Sequence, residues 1–161
     1  MVPRFVPLSV GSDTGGSARL PASVCGISAI KPSFGRVTAA GMIPLTPTRD
    51  HVGAIGRSVA DAALLLDVLA GEDPSDPATR LGPPFVDGLP LSARGGGEPL
   101  GGVRIGVPDA EVGKLPAALR ALFDGFLDAA RGLGAVIVPV TVPSLPASML
   151  TGDIAEIGAY H

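Results

Sequence analysis

The chain has 161 residues, 12 Lys+Arg against 15 Asp+Glu, and a formal net charge of −3. That mild acidity, with no basic block, argues against direct contact with nucleic acid or an anionic membrane surface. A lone cysteine, Cys25, excludes an internal disulfide framework. Hydrophobic residues make up 46% and charged residues 17%, which is the reverse of a disordered composition even though Gly (23) and Pro (17) fill about a quarter of the chain. With no Trp, one Tyr and five Phe, the core must rest on Ala, Val, Leu and Ile. The apolar stretches fall short of the roughly 18 residues a membrane span needs, and the first residues lack the apolar core of a signal peptide. A cytoplasmic setting is therefore expected.

Residues 1–58 are dense in Gly, Ser, Thr and Pro and read as turns and short strands without a sustained helical period. The first helix is expected from Ser58 to Ala70. Ser58 and Asp61 form a capping-box pattern, and Val59, Ala62, Ala63, Leu66, Leu69 and Ala70 share a face. Gly71 falls where a left-handed residue closes a helix. Residues 72–102 break the pattern with Pro74, Pro77, Gly82-Pro83-Pro84 and Gly95-Gly96-Gly97, and read as a surface loop, a domain insertion or a covering segment.

Beyond that break, Val103 to Val107 reads as a strand ended by Pro108, and Pro116 can open a helix that runs to about Leu133. The expected apolar face of this helix is Leu115, Leu119, Leu122, Phe123, Phe126, Leu127, Ala130 and Leu133, with Arg120 and Asp124 paired on the wet face. Gly134 ends it, and Ala135 to Val142 forms a second strand that Pro139 marks as an edge or bulged one. Strand, helix, strand implies parallel pairing and an α/β sheet.

The segment that points to chemistry is Gly11-Ser12-Asp13-Thr14-Gly15-Gly16-Ser17-Ala18-Arg19-Leu20-Pro21-Ala22. Small residues offer successive backbone N–H groups, and Gly15 and Gly16 permit φ > 0 and close approach of a ligand. Such a turn can aim several N–H groups at one oxygen, as an oxyanion hole requires, with Ser17 beside it as a nucleophile. A charge pair between Asp13 and Arg19 could fix its shape. The segment is not a Walker A loop, since no Lys follows the glycines, nor a G-x-S-x-G elbow, since Arg19 stands at the last Gly position. On these residues alone, a Gly/Ser-rich turn and a nucleophile loop both remain open.

The same run closely resembles the core motif of the amidase signature family, G-[ST]-D-T-G-G-S-[IA]-R-x-P-A. The resemblance continues through Cys25-Gly26, Lys31-Pro32-Ser33-Phe34-Gly35-Arg36-Val37, Gly41-Met42-Ile43-Pro44, Asp50-His51-Val52-Gly53 and Arg57 to Ala63, and its later landmarks reach Glu156 to His161. It implies a fragment of that family's α/β/α fold: a mixed, twisted central sheet covered by helices. Within it, residues 1–71 would form the nucleophile-motif core, 72–102 the Gly/Pro-rich loop and 103–161 the β-α-β segment.

The resemblance also implies an amide hydrolase or ammonia-transferring enzyme that works through a Ser–cis-Ser–Lys triad and an acyl-serine intermediate. It assigns Ser17 as nucleophile, the N–H groups of Thr14, Gly15, Gly16 and Ser17 as oxyanion hole, and a small-molecule amide as substrate, with no metal or cofactor. Amidotransferase subunits that act on misacylated Glu-tRNA or Asp-tRNA share the motif, so Ser17 does not separate the two readings.

In the family the base Lys and the bridging Ser lie upstream of this motif, whereas no Lys precedes Ser17 here. The chain is thus expected to be a central fragment, active with a complementing piece that carries the Lys and Ser, or else an inactive remnant or binding piece. Missing sheet partners would also make the isolated chain poorly soluble or homo-oligomeric. Lys31 matches a family lysine that is not the base and reads as structural, Lys114 as solvated, His51 and His161 as turn or terminal residues, and Cys25 as a buried, inert thiol. Two histidines and one cysteine make no metal-site spacing.

Overall fold

The computed structural model describes residues 5–81 and 99–142, which fall in two separate units. In the first unit, three strands form an antiparallel sheet of order β1-β3-β2, where β1 is Leu8–Ser12, β2 Ser28–Ile30 and β3 Val52–Gly56. The register sets Gly11 opposite Gly53 and Ala29 opposite Ile55. Central β3 is the most buried strand, and Ala54 on it is fully enclosed with Val37 and Leu66. Enclosing a leucine such as Leu66 contributes roughly 2 kcal/mol.

A helix, α1 (Arg19–Cys25), follows the glycine-rich turn within the region expected to hold only turns and strands. It has seven residues and buries only Ala22, so it has no amphipathic period to reveal it. Pro21 is tolerated because it lies in the first turn, where the N–H needs no helical acceptor. Gly26 closes α1 in the left-handed region at φ 64°, with its N–H directed at the Ala22 and Ser23 carbonyls.

Helix α2 (Val59–Leu69) carries the expected capping box: the Asp61 N–H donates to Ser58 Oγ, and the Ser58 N–H donates to Asp61 Oδ2, each at 3.1 Å. Such a cap stabilises by about 1 kcal/mol. Ala62, Ala63 and Leu66 are buried as expected, but Val59 is exposed. The helix ends through extended Ala70, not a left-handed Gly71; the Gly71 N–H donates across the unit to the Arg36 carbonyl at 3.3 Å.

The break expected at 72–102 starts as ordered structure. Asp76 Oδ2 accepts the Ala39 N–H at 2.8 Å and the Thr38 hydroxyl at 3.3 Å, and a short helix, α3 (Ala78–Leu81), follows. Residues 72–81 are thereby tied to the first unit, while 82–98 lie outside the described residues.

In the second unit, β4 (Arg104–Pro108) and β5 (Val136–Val140) pair in parallel, as the strand-helix-strand pattern predicts. A four-residue helix, α4 (Asp109–Val112), follows β4 directly and is too short to leave a period in the sequence. Helix α5 (Ala117–Gly132) starts one residue after Pro116, which sits at the N-cap with extended ψ of 146° and not in the first turn. Val107, Val112 and Leu127 form the core with Phe123 and Ile137.

Of the expected apolar face of α5, Leu115, Leu119, Leu122, Phe126 and Leu133 are instead exposed, because the apolar arc is wider than a two-stranded sheet can cover. Arg120 and Asp124 pair at 2.9 Å on the wet face, worth about 0.3–0.5 kcal/mol. Both units combine helices with sheet, so the chain is α/β. Among the described residues no helix is long and apolar enough to cross a membrane. The family landmarks at 156–161 lie outside the described residues.

Candidate active site

Strand β1 delivers the chain into the Gly11–Ala22 motif, and the Asp13 N–H extends its pairing by donating to the His51 carbonyl at 2.8 Å. The Asp13 side chain is fully buried beneath the turn. Its Oδ1 accepts the Gly16 N–H at 2.8 Å, and its Oδ2 accepts the Ala18 and Arg19 N–H groups at 3.4 and 3.3 Å. The Arg19 guanidinium closes the ring, donating through Nε to Oδ2 at 2.9 Å and through Nη2 to Oδ1 at 3.1 Å. This two-pronged geometry is the strong form of a charge-assisted hydrogen bond. Burial alone pushes the Asp13 carboxyl up, but the Arg19 and Lys31 contacts outweigh it and hold the group below the ordinary carboxylate range.

The turn alternates its amides. The Gly16 and Ala18 N–H groups point inward to Asp13. The Gly16 carbonyl accepts the Leu20 N–H at 2.7 Å, and the Thr14 carbonyl accepts from Lys31 Nζ at 3.2 Å. A trans peptide sets its N–H opposite its C=O, so these two bonds turn the Ser17 and Gly15 N–H groups away from the Leu20 and Lys31 donors. The Gly16 N–H, expected to face a substrate, is thus spent on shaping the turn.

Of the two glycines expected to use φ > 0, only Gly16 does, at φ 126°, and an added Cβ there would lie 3.1 Å from Leu20. At Gly15 an added Cβ would meet nothing within 4 Å, so the space beside it is open. Ser17 is exposed, and among the described residues no group hydrogen-bonds its Oγ.

The second half of the frame was not legible as such in the sequence. The Thr14 hydroxyl donates to Asp50 Oδ1. Asp50 Oδ2 accepts the Leu45 and Thr46 N–H groups at 2.8 and 3.0 Å. Burial raises the Asp50 carboxyl, and the Thr14, Leu45 and Thr46 donors bring it below its ordinary value. Lys31 Nζ lies 3.3 Å from Asp13 Oδ1, so the aspartate has a cation on either side. Lys31 and Asp50 both fall in stretches that carry the family resemblance, which is the one signal the sequence offered for them. His51 Nδ1 is 2.6 Å from the Arg49 carbonyl, and its ring packs edge-on to Phe34, as suits a turn residue. Cys25 is exposed, against the expected buried thiol, because α1 turns only Ala22 inward. Among the described residues no cluster of His, Cys, Asp or Glu could hold a metal ion.

Comparison with known proteins agrees with this motif. The amidase family model matches residues 3–158. The A-subunit of glutamyl-tRNA(Gln) amidotransferase from Azoarcus sp. (strain BH72) is 46% identical over 143 residues, covering 88% of this chain and 29% of that protein. The Deinococcus radiodurans protein of the same name is 42% identical, over 86% of this chain and 28% of its own length.

Among solved structures, the corresponding glutamyl-tRNA(Gln) amidotransferase protein from Thermotoga maritima superposes with a TM-score of 0.80 at 31% identity, covering 96% of this chain and 34% of that one. The peptide amidase from Stenotrophomonas maltophilia superposes with a TM-score of 0.73 at 32% identity, covering 96% and 32%. The chain thus spans about three-tenths of the length of the curated relatives it matches. With nearly its whole length matched by one family model, the chain belongs to the amidase family.

Proposed function

We propose that this chain carries the nucleophile segment of an enzyme that cleaves carboxylic amides through an acyl ester on Ser17. The Ser17 Oγ–H loses its proton to a base, and Oγ bonds the amide carbonyl carbon, placing a negative charge on the carbonyl oxygen. The Gly15 and Ser17 N–H groups, with that of Thr14, receive this oxyanion, while Gly16 and Asp13 hold the turn. Collapse breaks the C–N bond, and the departing nitrogen takes the proton. Water then attacks the ester, releasing carboxylic acid and restoring Ser17. The base implied by the family resemblance is a lysine acting through a second serine, supplied from outside the described residues.

The observation that supports this reading is the bonding of the turn around exposed Ser17: Asp13 holds the Gly16 and Ala18 N–H groups, while Lys31 and Leu20 hold the Thr14 and Gly16 carbonyls, which leaves the Gly15 and Ser17 amides for the oxyanion. A second reading, ammonia release within an amidotransferase that includes partner subunits, is favoured by the names of curated relatives that this chain resembles.

Fluorophosphonate labelling tests the shared chemistry. The chain is incubated with the probe alone and together with the upstream segment of the Thermotoga maritima amidotransferase protein. Phosphonylation mapped to Ser17 in the mixture, abolished by Ser17→Ala, is expected. No label on Ser17 in either sample contradicts the proposal.

A further inference from the structure

We infer that Lys31 is a positioning residue for the oxyanion site, aiming the Gly15 N–H by holding the other end of the same peptide unit. The inference rests on the reading of Ser17 as nucleophile. Lys31 Nζ donates to the Thr14 carbonyl at 3.2 Å, and that carbonyl shares a rigid trans peptide with the Gly15 N–H. Fixing one end therefore fixes the other. Left free, the Thr14–Gly15 peptide could rotate about its flanking bonds, since glycine imposes little of its own preference.

The anchor is well built for the task. Lys31 directly follows β2, whose Ile30 pairs with Ala54 of β3, and β3 pairs in turn with β1. The ammonium is thus referenced to the sheet and not to the turn it holds. Its side chain is 19% exposed, and Asp13 Oδ1 lies 3.3 Å away on its other side. Arg19, by contrast, is half exposed and grips Asp13 from within the turn itself. With Nζ committed to Thr14 and Asp13, Lys31 is poorly placed to act as the base for Ser17.

A side chain that aims a donor acts on the reaction step and not on ground-state affinity, because the hydrogen bond it enables is strongest when the oxygen is fully charged. Saturation kinetics of fluorophosphonate labelling separate the two effects as kinact and KI. In the complemented chain, Lys31→Met is expected to lower kinact at least tenfold with KI within twofold of the parent. Lys31→Arg, which keeps the charge and the donors, is expected to recover most of kinact. If Lys31→Met does not fold, Lys31→Gln takes its place. Its amide nitrogen falls one bond short of the Nζ position, so it frees the Thr14 carbonyl while keeping a polar group near Asp13, and the same fall is expected.

Parental kinact in the folded Met or Gln variant, or a change confined to KI, overturns the role of Lys31 and leaves Ser17 as nucleophile untouched. Absence of label on Ser17 in the parent chain overturns the nucleophile reading and this inference with it.

Discussion

Asp13 is buried, yet it accepts three backbone N–H groups and faces two cations, and all of these contacts favour its charged form. Asp50 is built the same way, with a hydroxyl and two backbone donors. Both carboxyls sit below their ordinary values in the folded chain, so the unfolded chain binds protons more readily. Their contribution to stability is fully present above the unfolded carboxylate pKa near 3.9 and is lost as pH falls through the folded values. Thermal melts are expected to show a Tm that drops below about pH 4, and Asp50→Asn should flatten that drop while lowering Tm at neutral pH. An unchanged acid slope in Asp50→Asn would contradict this.

Asp13→Asn at pH 7 is expected to cost about 3 kcal/mol by denaturant titration, since it strands Lys31 beside a neutral amide. The Asp13–Arg19 pair was legible in the sequence because the two residues are neighbours within one turn. Lys31 and Asp50 were not, because they reach Thr14 across 17 and 36 positions of chain.

At the scale of elements, legibility follows length and capping. Helix α2 announces itself through Ser58, Asp61 and a buried face, and the parallel pair β4 and β5 through two apolar runs that flank α5. Helices α1 and α4 bury one residue each, so no period betrays them. The width of the apolar arc on α5 was legible, but how much of it a sheet covers depends on strands that the helix sequence does not encode.

Close packing of α2 on β3 was also hidden. A Cβ at Gly56 would stand 2.8 Å from the Ala62 backbone nitrogen, so strand and helix approach to a distance that only glycine allows. Gly56→Ala is expected to destabilise the chain by roughly 1–3 kcal/mol. A denaturation midpoint equal to the parent's would show that the α2–β3 contact gives way freely.

At the scale of the molecule, each unit leaves apolar side chains in the open. Val24 is 84% exposed on α1, Val68 77% on α2 and Leu122 73% on α5. Exposed apolar surface of this kind drives association. Light scattering of the 161-residue chain at micromolar concentration is expected to show a mass above that of one chain, and a monomer would contradict it.

Amide cleavage through Ser17 is tested most directly by trapping the intermediate. The chain, complemented by an upstream amidase segment, is mixed with a simple carboxamide such as benzamide and quenched in acid within one turnover. Mass spectrometry of the Ser17 peptide should show the added acyl group on the Ser17 oxygen, absent in Ser17→Ala. Release of ammonia with Ser17 unmodified, or with the acyl group on another residue, would contradict the account.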